Sequence, residues 1–105
     1  MAGLRSEVNW HVRHTMTILE AISTFRDWSA PWTFERSIRE TIGSHSEEKK
    51  LFEELVLEAS RADHWQTVDL GLGCKIAHAE TKKIFPNVED VVIASIVRAV
   101  SYDWR

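Results

Sequence analysis

The sequence is poor in residues that interrupt or crosslink a chain. Two prolines and four glycines occur in 105 residues, whereas a protein of many short strands needs a turn signal roughly every 8 to 12 residues. The single cysteine, Cys74, excludes an intrachain disulfide and therefore the class of disulfide-stapled secreted domains. These absences favour a few long elements in a chain that folds in a reducing compartment.

Long apolar runs and an excess of positive charge are also missing. The longest unbroken apolar stretch is 91–94, far short of the roughly 20 residues of a membrane span, and residues 1–7 contain no apolar core of a secretory signal. The formal net charge is −3, so the chain lacks the basic character that supplies most non-specific nucleic-acid affinity. We therefore expect a soluble cytoplasmic protein that does not span a membrane and for which nucleic acid is a disfavoured partner.

Apolar residues recur at helical spacing and predict an all-α protein, with residues 1–105 forming a single compact bundle of four to five helices. The first predicted helix runs from Ser6 to about Asp27 and buries the stripe Val8, Val12, Met16, Leu19, Ile22 and Phe25. A break at 29–31 follows, because proline disfavours helix in the preceding residue. A short second helix then stops at Gly43 and turns inward Trp32, Phe34, Ile38 and Ile42.

Three further helices are predicted. A capping-box spacing from Ser44 to Glu47 begins the third, which ends near Trp65 and buries Leu51, Phe52, Leu55, Val56, Ala59 and Ala62. The fourth, 67–84, has a weaker stripe of Leu70, Cys74, Ala77 and Ile84, and two glycines that indicate a loop, a kink or a close helix approach. The last follows a cap at Asn87. Its β-branched run is compatible with a strand, but its length and the lack of a second strand favour helix.

The last helix is apolar nearly all round, which is typical of a central helix or of one that meets a partner chain. It has more apolar surface than the other helices of so small a bundle readily cover. A symmetric homodimer would bury the excess. We expect its interface to contain Val92, Ile93, Ile96 and Val100.

Five tryptophans in so small a chain are the least ordinary feature of the composition. Several stand at the ends of predicted elements, where full burial is difficult. Any one of them could equally well close one end of the hydrophobic core, but this explanation fits all five less well. Large rigid aromatic groups are enriched at interaction hot spots. We therefore predict a surface that binds another protein, formed by Trp10, Trp28, Trp32, Trp65, Tyr102 and Trp104.

Other kinds of site have weaker signals. His11 with His14 and Cys74 with His78 have helical spacings that would let two pairs hold one metal ion, and the second pair also has the spacing of a Cys/His catalytic pair. A helix-turn-helix interpretation of the last two helices would use Lys75, Lys82, Lys83 and Arg98, but the last helix offers almost no polar face for reading bases. The glutamates between Glu47 and Glu58 are interpreted as a solvated helix face.

The sequence thus predicts a non-enzymatic protein that needs no cofactor or metal. The common phosphate-binding, nucleophile-elbow and zinc-protease motifs are absent from it. The hypothesis is a small cytoplasmic regulator of bacterial or phage origin, an adaptor, inhibitor or anti-activator that sequesters a larger protein through an aromatic-rich helical surface. A DNA-binding regulator, a metal-binding protein and a Cys/His enzyme remain the alternatives.

Overall fold

All regular elements of the described residues are helical, which confirms the all-α class. The computed structural model describes residues 17–43, 47–67 and 69–104. Its α-helices are α1 (Ile18–Thr24), α2 (Phe34–Ile42), α3 (Glu47–Ala59), α4 (Leu70–Ile84) and α5 (Asp90–Ser101), and short 3₁₀ helices cover Pro31–Thr33, Ala62–Trp65 and Tyr102–Trp104. Within these ranges, no helix combines the length and hydrophobicity needed to cross a bilayer.

The first described helix is shorter than predicted. Thr17 has an extended backbone and forms a capping box with Glu20, so α1 begins at Ile18, and it ends at Thr24 instead of Asp27. Ile22 and Phe25 are buried as predicted, but Ile18 is buried in place of Leu19, which is 37% exposed. A continuous helix through Thr17 is therefore wrong, and the predicted helical residues before it lie outside the described part of the chain.

The second helix begins and ends where the sequence predicts. Pro31 opens a 3₁₀ turn that leads into α2, because its fixed φ suits the first turn of a helix and its missing N–H would be unpaired there anyway. Gly43 ends α2 with φ +85°, a conformation that glycine adopts without the Cβ penalty of other residues. The buried side chains are Phe34, Ile38 and Ile42, but Trp32 faces solvent.

An ion-pair network joins α2 to α3. Both Arg39 Nε and Nη2 donate to the Glu53 carboxylate, while Glu35 and Lys49 add pairs one helical turn away on either side. The Arg39 guanidinium, followed by the Lys49 ammonium, lowers the pKa of Glu53 below its usual range, although partial burial opposes this. The network fixes the relative register of the two helices at the surface.

Helix α3 buries the predicted stripe as far as Ala59 but is shorter than predicted, and Ala62, which was expected in the same stripe, is exposed. Phe52, Leu55 and Ala59 are inaccessible to solvent, with Leu51 and Val56 packed beside them. The α-helix ends at Ala59, and a separate 3₁₀ turn carries Trp65. The predicted capping serine, Ser44, lies outside the described residues.

Helix α4 buries only part of the predicted stripe: Ala77 is buried, and Leu70 and Cys74 pack half-buried against the core. Asp69 caps its N-terminus by accepting from the backbone N–H of Gly71 and Leu72, so the helix begins after 67 with a regular first turn. The buried face contains Gly73, Ala77 and Thr81, whereas Ile84 is 53% exposed. Gly73 allows close approach of a neighbour, because a Cβ built there would lie 2.7 Å from Cε3 of Trp65.

This contact predicts opposite effects for two neighbouring glycines. Gly73→Ala gains about 1 kcal/mol of helix propensity but overpacks the Trp65 ring at a cost of about 1–3 kcal/mol, so we expect a net loss of about 1 kcal/mol. Gly71→Ala meets only the movable carboxylate of Asp69, at 3.2 Å, and should not be destabilised. Urea denaturation of both variants measures the difference, and a Gly73→Ala protein as stable as Gly71→Ala would contradict the contact.

Helix α5 is the centre of the fold and packs against α1, α3 and α4. Together these helices bury Val92, Ile93, Ile96 and Val100, each at most 1% exposed. The prediction that these four residues form a dimer interface is therefore wrong, because α1, α3 and α4 already cover them within one chain. What α5 leaves exposed is a narrower strip that includes Val91 and Ala94.

Candidate functional site

The described aromatic residues that were predicted to bind a partner gather around the C-terminal end of α5. Trp28 lies under Arg98, with the guanidinium carbon 4.1 Å from the ring centroid. The ring centroids of Trp32 and Tyr102 are 5.4 Å apart. Trp65 and Trp104 stack nearly parallel, with 6.2 Å between their ring centroids. We call these five aromatic residues, Trp28, Trp32, Trp65, Tyr102 and Trp104, the aromatic cap. Trp10 lies outside the described residues.

Exposure divides the aromatic cap into an outer and an inner part. Trp32 is 62% exposed and Trp104 is 42% exposed, while Tyr102, in the same 3₁₀ turn as Trp104, is half-buried. Trp32 faces outward because it occupies the middle of the 3₁₀ turn that Pro31 opens, two positions before Phe34, where the buried face of α2 begins. These three side chains are available to a partner.

Trp28 links the aromatic cap to the core. Its ring stacks on Phe34 at 5.2 Å and meets Phe25 edge-on at 5.0 Å. A cation over the face of tryptophan is attracted by the ring quadrupole, so Arg98 and Trp28 hold each other in place. The half-buried Trp28 therefore gives the aromatic cap a rigid base.

Trp65 is a core residue, not a surface one. Only 7% of it is exposed, and its Nε1–H donates to the carbonyl of Ala59 at 2.9 Å. The prediction that Trp65 contacts a partner directly is wrong, because the missing side chain of Gly73 lets α4 close over the ring. Its part in the aromatic cap is to support Trp104.

A groove of about 470 Å³ lies between α4 and α5 and was not predicted. Its floor consists of small or apolar side chains, Cys74, Ala79, Ala94 and Val97, and its rim carries Lys75, His78 and Arg98. Two exposed alanines, Ala79 on α4 and Ala94 on α5, line the groove and leave open space that larger side chains would fill. Alanine occurs on both buried and exposed helix faces, so the spacing of alanines in the sequence does not predict a groove. The groove is visible only in the packing of α4 against α5.

The groove also contains the Cys/His pair of the enzyme hypothesis. Cys74 and His78 both line it, and His78 Nε2 lies 3.5 Å from Oδ1 of Asp90. That contact, with Lys82 nearby, lowers the pKa of the Asp90 carboxyl. His78 thus interacts with the connection into α5, and the enzyme hypothesis stays a prediction.

The other predicted sites are dispersed. In the part of the chain that the structure describes, no group of three or more His, Cys, Asp or Glu side chains could hold a metal ion, and His11 and His14 fall outside it. Of the lysines in the DNA-binding alternative, Lys82 donates to the carbonyl of Val88 and Lys83 pairs with Glu80. Only Lys75 and Arg98 share one surface, the rim of the groove.

One buried polar pair was missed by the sequence analysis. His64 is 4% exposed, and its Nε2 lies 2.9 Å from Oε2 of Glu58. Glu58 was expected on the solvated face of its helix, but it lies near the end of α3, where the chain turns back and brings His64 over it. The pair satisfies the polar groups of two largely buried side chains, with 5% of the His64 and 12% of the Glu58 side chain exposed, and has a structural role.

Comparison with protein-family models, with curated proteins and with solved structures returns no match. The aromatic cap and the groove beside it are therefore the features from which a function is inferred.

Proposed function

We propose that this protein is a small regulator that acts by binding another protein through the aromatic cap. The observation that carries the proposal is Trp32, a large apolar side chain that is 62% exposed and is held against Tyr102. Scattered single apolar residues on a surface are ordinary, whereas aromatic side chains grouped at one end of a small domain are typical of an interaction site.

Rigidity strengthens this interpretation. Ring contacts connect Trp32 to Tyr102 and Trp104 to Trp65, so the exposed rings lose little conformational freedom when a partner covers them. Tryptophan, tyrosine and arginine are the residues most enriched at binding hot spots, and the aromatic cap presents all three with Arg98 beside Trp28. A preorganised anchor of this kind suits an adaptor, inhibitor or anti-activator that sequesters a larger protein in the cytoplasm.

The proposal predicts that Trp32→Ala loses the partner while the fold is retained. The side chain is mostly exposed, so the free energy of unfolding should change by no more than about 0.5 kcal/mol. A hot-spot tryptophan contributes about 2 kcal/mol or more to binding, which is roughly a 30-fold loss of affinity. The measurement is quantitative capture from an extract of the source organism, followed by titration of the protein captured at stoichiometric amounts.

Leu57→Ala is the matched control. Leu57 is a large apolar residue with 72% exposure on α3, and it takes no part in the ring contacts of the aromatic cap. We expect Leu57→Ala to bind the partner like the unaltered protein. Equal binding by Trp32→Ala would contradict the proposal, as would a stoichiometric partner that both variants lose.

A further inference from the structure

The groove between α4 and α5 is apolar at its floor and positively charged at its rim. Lys75 and His78 extend from one side and Arg98 from the other. No carboxylate within 17–43, 47–67 or 69–104 forms an ion pair with Lys75 or Arg98, and the nearest acid that pairs with the rim is Asp90, at the end of the groove beside His78. This local cationic rim contrasts with the net charge of −3 for the whole chain.

The dimensions suit a helix. The lining residues of α5 extend from Ala94 to Ser101, which is about 10 Å or two turns at 1.5 Å per residue. Ala79 and Ala94 leave room for the backbone of a second helix to come close, and an open groove of this shape receives the apolar face of an amphipathic helix. The open side of the groove exposes the flanks of such a helix to Lys75 and Arg98.

We propose that the groove binds an acidic amphipathic helix of a partner protein, with its apolar face on the floor and its carboxylates against Lys75 and Arg98. This inference rests on the proposed function, since it assigns a chemistry to one segment of the partner. The two sites are contiguous, because Arg98 forms part of the rim and also lies over Trp28. A partner that contacts the aromatic cap can therefore extend its helix along α5.

The chain's own residues 1–16 are a poor match for the same groove. They contain two arginines, Arg5 and Arg13, against one glutamate, Glu7, so their charge has the same sign as that of the rim. Like charges disfavour such a contact. Occupation of the groove by this segment is accordingly an outcome that would overturn the proposal.

Cys74 provides a direct readout, because it is the chain's single cysteine and lines the groove floor. The probe is a designed peptide helix with leucine and alanine on one face and glutamate on the other, compared with the same peptide carrying lysine for glutamate. Binding is measured by fluorescence anisotropy, and the rate of Cys74 alkylation by intact mass. We expect the acidic peptide to bind and to slow alkylation about tenfold, and the basic peptide to do neither.

Three full-length variants assign the effect to the groove. Lys75→Glu should weaken the acidic peptide about tenfold and remove its advantage over the basic one, since a carboxylate at position 75 offsets the remaining positive charge of Arg98. Ala94→Trp fills the groove from an exposed position and should abolish binding without unfolding the protein. Lys83→Glu is the control, because Lys83 lies on the same helix, does not line the groove and pairs with Glu80, so peptide binding should change less than about twofold.

Three results would overturn the proposal. They are equal binding of the acidic and basic peptides, full binding by Ala94→Trp, and slow Cys74 alkylation in the free protein that no peptide changes, which would indicate that the chain itself covers the groove. Peptide binding does not require Trp32, so Trp32→Ala should bind the acidic peptide normally. Failure of peptide binding leaves the Trp32-dependent partner of the proposed function untouched, so the two failures are distinguishable.

Discussion

Replacement of Phe34 by alanine is expected to lower the free energy of unfolding by about 4 kcal/mol. Phe34 is inaccessible to solvent. The centroid of its ring lies 5.1 Å from that of Phe25, 5.2 Å from that of Trp28 and 6.3 Å from that of Phe52. Removing the ring loses its transfer free energy and leaves a cavity between α1, α2 and α3 that rigid aromatic neighbours cannot close. Since domains of this size have a total stability of about 5–15 kcal/mol, a large part of it depends on this side chain.

Guanidinium denaturation followed by far-ultraviolet circular dichroism gives the change in unfolding free energy. Phe34→Leu is the control, because it retains most of the apolar volume and should cost about 1–1.5 kcal/mol. The near-ultraviolet signal of the tryptophans should fall in Phe34→Ala, since Trp28 loses the ring on which it stacks. A loss below about 1 kcal/mol would show that Phe34 is not the centre of the aromatic core.

Local chemistry made the helix boundaries near proline and glycine predictable. Pro31 and Gly43 bound the second helix in the sequence and in the structure, because each restricts or permits backbone angles regardless of the rest of the fold. The last helix was predicted from its length and from the absence of a second strand, and α5 confirms it. These features depend on neighbouring residues alone.

Buried faces that depend on small residues were not predictable. The inner face of α4 consists of Gly73, Ala77 and Thr81, two of which have no strong apolar character, so the apolar pattern pointed to Ile84 instead. The error on α1 has a different origin: the helix starts anew after the Thr17 cap, and Ile18, not Leu19, is the first apolar residue on its buried face. Which small residue is covered depends on the neighbour that packs against it.

The predicted dimer interface does not match the packing of α5. Although α5 is apolar nearly all round, α1, α3 and α4 together cover Val92, Ile93, Ile96 and Val100 within one chain. The aromatic residues were placed better, since the ends of elements are where Trp32 and Trp104 reach solvent. The same criterion could not separate Trp65 from them, because its burial requires Gly73 on a different helix.

Trp65→Ala is expected to destabilise the protein by about 4 kcal/mol, although a position at the end of an element suggested a surface role. The ring is 7% exposed, fills the space that Gly73 leaves and stacks on Trp104 at 6.2 Å. Loss of the Trp65 ring also removes the hydrogen bond that Trp65 Nε1–H donates to the carbonyl of Ala59, and leaves that carbonyl without this donor. Thermal and urea denaturation measure the effect.

Two controls separate the parts of this loss. Trp65→Phe keeps an aromatic ring against Gly73 but removes the Nε1–H donor, so it should cost about 1–2 kcal/mol. Trp104→Ala removes the stacked partner from a side chain that is 42% exposed, and should cost less than about 1.5 kcal/mol. If Trp104→Ala were as damaging as Trp65→Ala, the outer ring would belong to the core and the aromatic cap would have only Trp32 and Tyr102 to offer a partner. If Trp65→Ala were harmless, the α4 contact at Gly73 would be absent in solution, and Trp65 would return to the set of residues that a partner can reach.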